Sequence, residues 1–233
     1  MSGSFYCLDN DIILKLATCD LFNETLTTFE INASQIQILD SFKYKFDVNR
    51  QIKRTRGNKS DNNYTKFDIK KALEIVENCV TLSEHNPNID RDIYLKLMDS
   101  CRRSNDKTDT IDQGEAILIS YIFYLSQQGY TNNYLLTHDK CCLRALIKSG
   151  LTEIIENLEG RIWCLEQLIF KYIEKFGFDI IQTKVYPSRY CDQNIKMIFG
   201  YSIKATEEVV KENLNREIIV LRRETGNLLY PYP

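Results

Sequence analysis

Phe5-Tyr6-Cys7-Leu8-Asp9-Asn10-Asp11-Ile12-Ile13-Leu14 is the stretch whose reading decides the fold. Phe5, Tyr6, Cys7 and Leu8 form a short, continuously apolar run, as expected of a strand buried on both faces. Ile12, Ile13, Leu16 and Ala17 then recur at helical spacing. Asp9 therefore sits where the carboxyl end of a strand meets the amino end of a helix. A second unit of the same kind follows at Tyr134-Leu135-Leu136-Thr137, with Asp139 and a helix through Lys148 that stops at Gly150.

Between these units the patterning predicts a strand near 36–39 and helices over 67–82, 89–102 and 112–128, the last stopped by Gly129. A further amphipathic helix is read over 162–176, ending at Gly177. Short buried strands alternating with longer helices predict an α/β fold with a mainly parallel sheet. Residues 178–233 read as a small C-terminal α+β extension, with strands near 197–201 and 218–221 around a helix over 206–214. The expected organisation is thus a domain over 1–177, carrying a loop insertion at 50–66, and an extension over 178–233.

Composition narrows the function classes. The 233 residues are 43% hydrophobic and 27% charged, with 9 Gly and 4 Pro, which excludes a largely disordered or fibrous chain. Thirty basic against 32 acidic residues give a net charge of −2, so no whole-chain field draws it to nucleic acid or membrane. Any nucleic-acid surface must be a local patch. The basic loop at 50–66 supplies one: Arg50, Lys53, Arg54, Arg56, Lys59 and Lys66 oppose Asp61 alone, with Tyr64 and Phe67 available for stacking. The plainer alternative is a solvated loop.

Eight cysteines without a C-x-x-C pair, and no secretory-type segment at the start, read as reduced thiols of a cytoplasmic protein. Two histidines and scattered cysteines argue against zinc. The longest apolar run, 116–125, is far short of the roughly 20 residues a membrane span requires.

Three acids carry the chemistry: Asp9 and Asp139 after the two clear strands, and Glu115 at the start of the 112–128 helix. In open α/β sheets the functional crevice lies beyond the carboxyl ends of the strands. Acids converging there make an oxygen-rich site suited to Mg²⁺ or Mn²⁺. Helix capping explains the same positions more plainly, because Asp is favoured at helix amino ends and Asp112 with Glu115 has capping-box spacing.

The 5–14 segment, Gly114-Glu115-Ala116-Ile117-Leu118 and Leu135-Leu136-Thr137-His138-Asp139-Lys140-Cys141-Cys142-Leu143-Arg144-Ala145-Leu146 together resemble PIN domains, and they occur in that family's order. The later 160–177 segment is similar to the strand-to-helix unit that closes such domains. The resemblance covers about residues 5 to 177. It implies a three-layer α/β/α sandwich and metal-dependent endonuclease activity on RNA or DNA, RNA being placed first. It makes Asp9, Glu115 and Asp139 the catalytic, metal-binding acids, and Mg²⁺ or Mn²⁺ the activator of the attacking water.

Asp11 stands where the family usually has Asn or Ser, and is a further candidate ligand. Asn10 and Thr137 are placed to orient water or a carboxylate. His138 is read as incidental or as a phosphate contact, and Lys140 and Arg144 as backbone contacts beside the basic loop. One more family acid has no clear counterpart, Glu30 and Asp40 being the candidates. The partners implied are nucleic acid, a protein docked through 178–233 (an antitoxin-like partner or a larger complex), and a second copy of the chain, with no membrane.

Two rivals remain at this stage. One is a PIN-like scaffold with a degenerate site that binds nucleic acid or serves a complex. The other is a haloacid-dehalogenase-like phosphatase, in which Asp9 would be the nucleophile and Asp11 the acid/base.

Overall fold

The computed structural model describes residues 3–46, 66–103 and 108–233. Five strands form one all-parallel sheet: β1 (Phe5–Leu8), β2 (Ile36–Leu39), β3 (Val80–Leu82), β4 (Asn133–Thr137) and β5 (Ile162–Cys164), in spatial order β3-β2-β1-β4-β5. Tyr6 pairs with both Ile36 of β2 and Tyr134 of β4, which makes β1 the central strand. Residues alternate between two cores. Tyr6, Leu8, Ile36, Ile38, Leu136 and Trp163 face one; Cys7, Leu82, Leu135, Ile162 and Cys164 face the other. Because both faces are covered, the strands carry apolar residues throughout, and the architecture is the three-layer α/β/α sandwich expected.

The helices are α1 (Asn10–Thr18), α2 (Phe22–Phe29), α3 (Ser41–Lys45), α4 (Ile69–Val76), α5 (Arg91–Arg103), α6 (Gln113–Gln127), α7 (Lys140–Lys148), α8 (Thr152–Leu158), α9 (Leu165–Phe176), α10 (Phe178–Ser188), α11 (Gln193–Phe199) and α12 (Glu207–Thr225). One layer contains α1, α2, α4 and α9 with the first half of the C-terminal segment; the other contains α5 to α8.

Three expectations fail. The helix read over 162–176 begins at Leu165, because Ile162–Cys164 is β5, paired beside β4. The helix over 67–82 ends at Val76, and its last three residues are β3. The apolar run continues across the break, but Val80 and Thr81 are β-branched and fit the pleat beside β2. The strands expected at 197–201 and 218–221 do not form: 197–199 closes α11 ahead of a turn, and 218–221 lies within α12. The reason is a periodicity longer than the window read: Val210, Leu214, Ile218, Leu221 and Thr225 are all buried at spacings of three or four.

Residues 178–233 pack into both cores. Ile181, Val185, Ile195, Ile198, Phe199, Val210 and Leu214 join the first, and Ile218, Leu221, Leu228 and Leu229 the second. Extended pairing there is limited to the bridge Ile162↔Leu229, where the tail runs along β5 and Tyr230 stacks on Trp163 at 4.4 Å. The tail thereby covers a sheet edge that would otherwise present unpaired backbone groups.

Of the basic loop, residues 50–65 lie outside the described residues, including Arg50, Lys53, Arg54, Arg56 and Lys59. Lys66 is exposed, with its ammonium 5.0 Å from the Phe67 ring centroid.

Candidate active site at the carboxyl edge of the sheet

The chain lays down β2 and β3 on one side of β1, then returns to place β4 and β5 on the other. The point where the strand order reverses therefore lies between β1 and β4, where open α/β sheets form their crevice. All strands being parallel, the residues that follow them emerge at one edge. Those residues are rich in acids: Asp9 after β1, Asp40 after β2, Glu84 after β3, Asp139 after β4 and Glu166 after β5.

Asp9 and Asp139 flank the reversal and are held by one hydroxyl. Asp9 caps α1 by accepting from the Ile12 amide at 2.6 Å. Its second oxygen accepts from the Thr137 hydroxyl and from the His138 amide at 3.2 Å. Thr137 in turn accepts from the Asp139 amide at 2.9 Å, and Asp139 caps α7 through the Cys142 amide at 2.9 Å. The expected capping role is thus real for both acids, and each retains lone pairs beyond it, since a carboxylate offers about four acceptor sites. Burial raises the Asp9 carboxyl to about 6, helped by the Asp11 charge and opposed by the Thr137 and Ile12 bonds and by Lys15.

Glu115 enters from α6. It closes a capping box with Asp112: the Asp112 amide donates to Glu115 Oε2 at 2.7 Å, and the Glu115 amide donates to Asp112 Oδ1 at 2.8 Å. Gly114 brings α6 close against β2. A Cβ there would lie 2.5 Å from Leu39 Cδ1, so the Leu39 side chain would have to shift. Burial, then the charges of Asp139 and Asp112 and more weakly Asp9, raise the Glu115 carboxyl to about 9 against the Asp112 amide bond. The buried Cys142 thiol is pushed well up by burial and by Glu115, Asp139 and Asp9. These side chains share one negative field. Among the described residues no Lys, Arg or His forms an ion pair with Asp9, Glu115 or Asp139.

A second network borders this cluster and takes up most of the nearby cations. Lys15, 4% exposed at its side chain, lies 2.5 Å from Asp11 and 2.9 Å from Asp192. His138 Nε2 lies 3.2 Å from the same Asp192 oxygen. Lys140 pairs with Glu166 at 2.8 Å and Glu217 at 2.9 Å, and Arg144 with Asp109 at 3.0 Å and Glu224 at 3.1 Å. Asp11 thus faces Lys15, and the two cations expected on substrate phosphates, Lys140 and Arg144, are engaged within the chain. Burial acts to raise both Asp192 and Glu166. His138 and Lys15 nonetheless hold Asp192 far below the usual carboxylate range, and His138 with Lys140 holds Glu166 below it.

Glu166 and Asp192 escape a sequence reading for different reasons. Glu166 obeys the rule that picked out Asp9 and Asp139, an acid directly after a parallel strand, and applying it to Ile162-Trp163-Cys164 would have found it. Asp192 comes from the C-terminal segment and has no local signal beyond its cap on α11 through the Ile195 amide at 2.9 Å. Of the two candidates for the missing family acid, Asp40 lies on the site edge, lining a cavity of about 260 Å³ with Glu84, His85 and Gln113. Glu30 closes α2 ahead of β2 and so lies at the opposite edge.

Among the described residues no three His, Cys, Asp or Glu side chains are grouped closely enough to cage a metal ion. The donor chemistry nevertheless fits a hard divalent cation. Mg²⁺ is usually held by one or two carboxylates, with waters and substrate phosphate completing the shell, rather than by an all-protein cage. Asp139 and Glu115 each have an oxygen that accepts no hydrogen bond from an N–H or O–H group among the described residues. Among the described residues, three buried side-chain polar atoms without a partner also belong to this edge: Asn10 Oδ1, His138 Nδ1 and the Glu166 oxygen that does not meet Lys140. Such clustering marks a place for ordered water or an ion.

No family model matches the chain, and comparison with curated proteins and with solved structures returned no match. Among the described residues no helix is long and apolar enough to cross a membrane.

Proposed function

We propose that this chain is a divalent-cation-dependent endonuclease that hydrolyses phosphodiester bonds of nucleic acid, RNA ahead of DNA, in the cytoplasm. The observation that carries the reading is the uncompensated acid cluster of Asp9, Glu115 and Asp139 at the reversal of strand order. The ordered resemblance to PIN domains supports it independently.

Carboxylates gathered at one sheet edge with no ion-pair partner are stabilised by a bound cation. Mg²⁺ or Mn²⁺ in that field would polarise a phosphoryl oxygen and make a water nucleophilic at neutral pH. The chain's own residues set the stage for this. Thr137 fixes the Asp9 carboxylate and the Asp139 backbone in one frame, so neither acid must reorganise when substrate arrives. Glu115, raised to about 9, keeps its proton at neutral pH until a cation displaces it, so cation uptake releases a proton. The cytoplasmic assignment rests on eight free cysteines, five of them buried.

A second reading has its own observation. Asp9 has both oxygens engaged within the chain and Asp11 is paired with Lys15, as in a scaffold that binds nucleic acid without cutting it. The same ion pair weighs against a phosphatase, which would need Asp11 free to move protons.

Cleavage of labelled single-stranded RNA and DNA with Mg²⁺ or Mn²⁺, by the wild type and by Asp139→Asn, tests the proposal. Asn retains the oxygen that caps α7, so the variant folds while losing the charge. Cation-dependent cutting lost in Asp139→Asn is the expected result. Binding without cutting by the wild type would favour the scaffold, and cutting that survives the substitution would move the site elsewhere.

A further inference from the structure

The segment that carries Asp192 to the site also presents an outward face that the acid cluster does not use. Tyr190, two residues before Asp192, is 55% exposed, and Tyr201 is 45% exposed. The Arg189 guanidinium is sandwiched by rings, 3.7 Å from the Tyr186 centroid and 4.4 Å from that of Tyr190. Lys196 lies over Tyr190 at 4.9 Å and over Tyr201 at 4.4 Å, and Lys204 over Tyr186 at 5.4 Å. The three rings, Lys196 and Lys204 therefore form one continuous surface, with Arg189 buried beneath it.

Its shape is fixed from beneath. Arg189 donates to the carbonyls of Tyr186, Gly200 and Tyr201, pinning the 200–203 turn against α10. Gly200 has φ 98°, and a Cβ there would lie 2.0 Å from the Ile203 carbonyl oxygen, so only glycine makes this turn. Among the described residues Arg189, Lys196 and Lys204 form no ion pair with a carboxylate, while most cations near the acid cluster do. The only acid between residues 186 and 204 is Asp192, which faces Lys15 and His138.

We propose that this face, formed by Tyr186, Tyr190, Lys196, Tyr201 and Lys204, binds single-stranded RNA. Rings set beside lysines that face no carboxylate suit unstacked bases and the phosphates between them. The Tyr190 and Tyr201 hydroxyls and the Gln193 amide, which donates to Tyr201 at 2.6 Å, supply groups that a 2′-hydroxyl can meet. The inference deepens the nuclease reading by giving its substrate a second point of contact beside the acids.

The test measures binding of a fluorescein-labelled mixed-sequence 20-nucleotide RNA to the full chain in EDTA, so that cutting does not intervene. Tyr190→Ala with Tyr201→Ala should weaken binding about tenfold or more, while the paired Phe substitutions retain most of it. Lys196→Ala with Lys204→Ala should flatten the log–log salt slope by about 1.4. Both tyrosines are exposed, and circular dichroism confirms folding. Unchanged RNA affinity in the folded variants overturns the proposal, as does absence of wild-type binding. Equal loss on DNA of the same sequence would overturn the assignment to RNA. Unchanged affinity with a shift from dimer to monomer would make the face a self-association surface instead. Loss of binding in the patch variants, with no cleavage by wild type in Mg²⁺ or Mn²⁺, would sustain this face while removing the nuclease reading.

Discussion

The hydroxyl of Thr137 donates a hydrogen bond to the carboxylate of Asp9, tying the last residue of β4 to the first residue after β1. The same hydroxyl oxygen accepts from the Asp139 amide at 2.9 Å. One threonine therefore orients two acids that the sequence separates by more than half the chain.

Removing that hydroxyl should loosen both. Thr137→Val leaves the Asp139 amide without its acceptor, and leaves the second Asp9 oxygen with only the His138 amide. A loss of about 1–3 kcal/mol in urea denaturation is expected, with Thr137→Ser close to wild type. Loss in Thr137→Ser with Thr137→Val close to wild type would show that the methyl group, rather than the hydroxyl, matters.

Glu115 sets the pH dependence. Its carboxyl is raised from 4.5 to about 9 in the fold, so between those values the native state holds a proton that the unfolded chain has released. Stability from this group is full below the unfolded value and is lost as pH rises through the folded one. Wild-type melting temperature should therefore fall from pH 5 to 9 more steeply than that of Glu115→Gln, which keeps an acceptor for the Asp112 amide. At pH 8 the variant should be the more stable, by roughly 1–3 kcal/mol. Parallel melting profiles would contradict this.

Asp192 acts with the opposite sign. Its carboxyl is held far below the ordinary range, so its contribution is present above about pH 4 and lost as pH falls further. Asp192→Asn keeps the cap on α11 but leaves buried Lys15 with Asp11 alone, and should cost about 3 kcal/mol at pH 7. Burial acts to lower the His138 pKa, and the Asp192 bond outweighs it. In the variant, imidazole NMR shifts should therefore report a lower His138 pKa than in the wild type. An unmoved His138 titration would break the proposed link between the C-terminal segment and the site.

Most of the edge was legible because each strand-then-acid unit is local. Phe5–Leu8 with Asp9, and the strand before Asp139, announce themselves within ten residues. Glu115 was legible through Gly114, whose missing Cβ leaves room for Leu39. What could not be read is long-range. The charges of Lys140 and Arg144 look free in sequence, yet Glu217 and Glu224 of α12 neutralise them from some 80 residues away. Val80-Thr81-Leu82 extends a helical apolar pattern, and only its place beside β2 makes it a strand.

That long-range packing makes the C-terminal segment structural. Ending the chain at Gly177 would strip Ile181, Ile195, Phe199, Leu214 and Ile218 from the two cores and uncover Trp163. The shortened chain should lack a cooperative thermal transition by circular dichroism. A cooperative melt near that of the full chain would show that 1–177 folds alone.

The central claim is that Asp139 and Glu115, beside Asp9, hold one divalent cation with one or two carboxylates, and Mn²⁺ titration followed by electron paramagnetic resonance addresses it most directly. The account predicts one Mn²⁺ per chain, bound more tightly at pH 8 than at pH 6, and weakened at least tenfold in both Asp139→Asn and Glu115→Gln. No specific Mn²⁺ binding by the folded wild type, or binding that both variants leave unchanged, would contradict it.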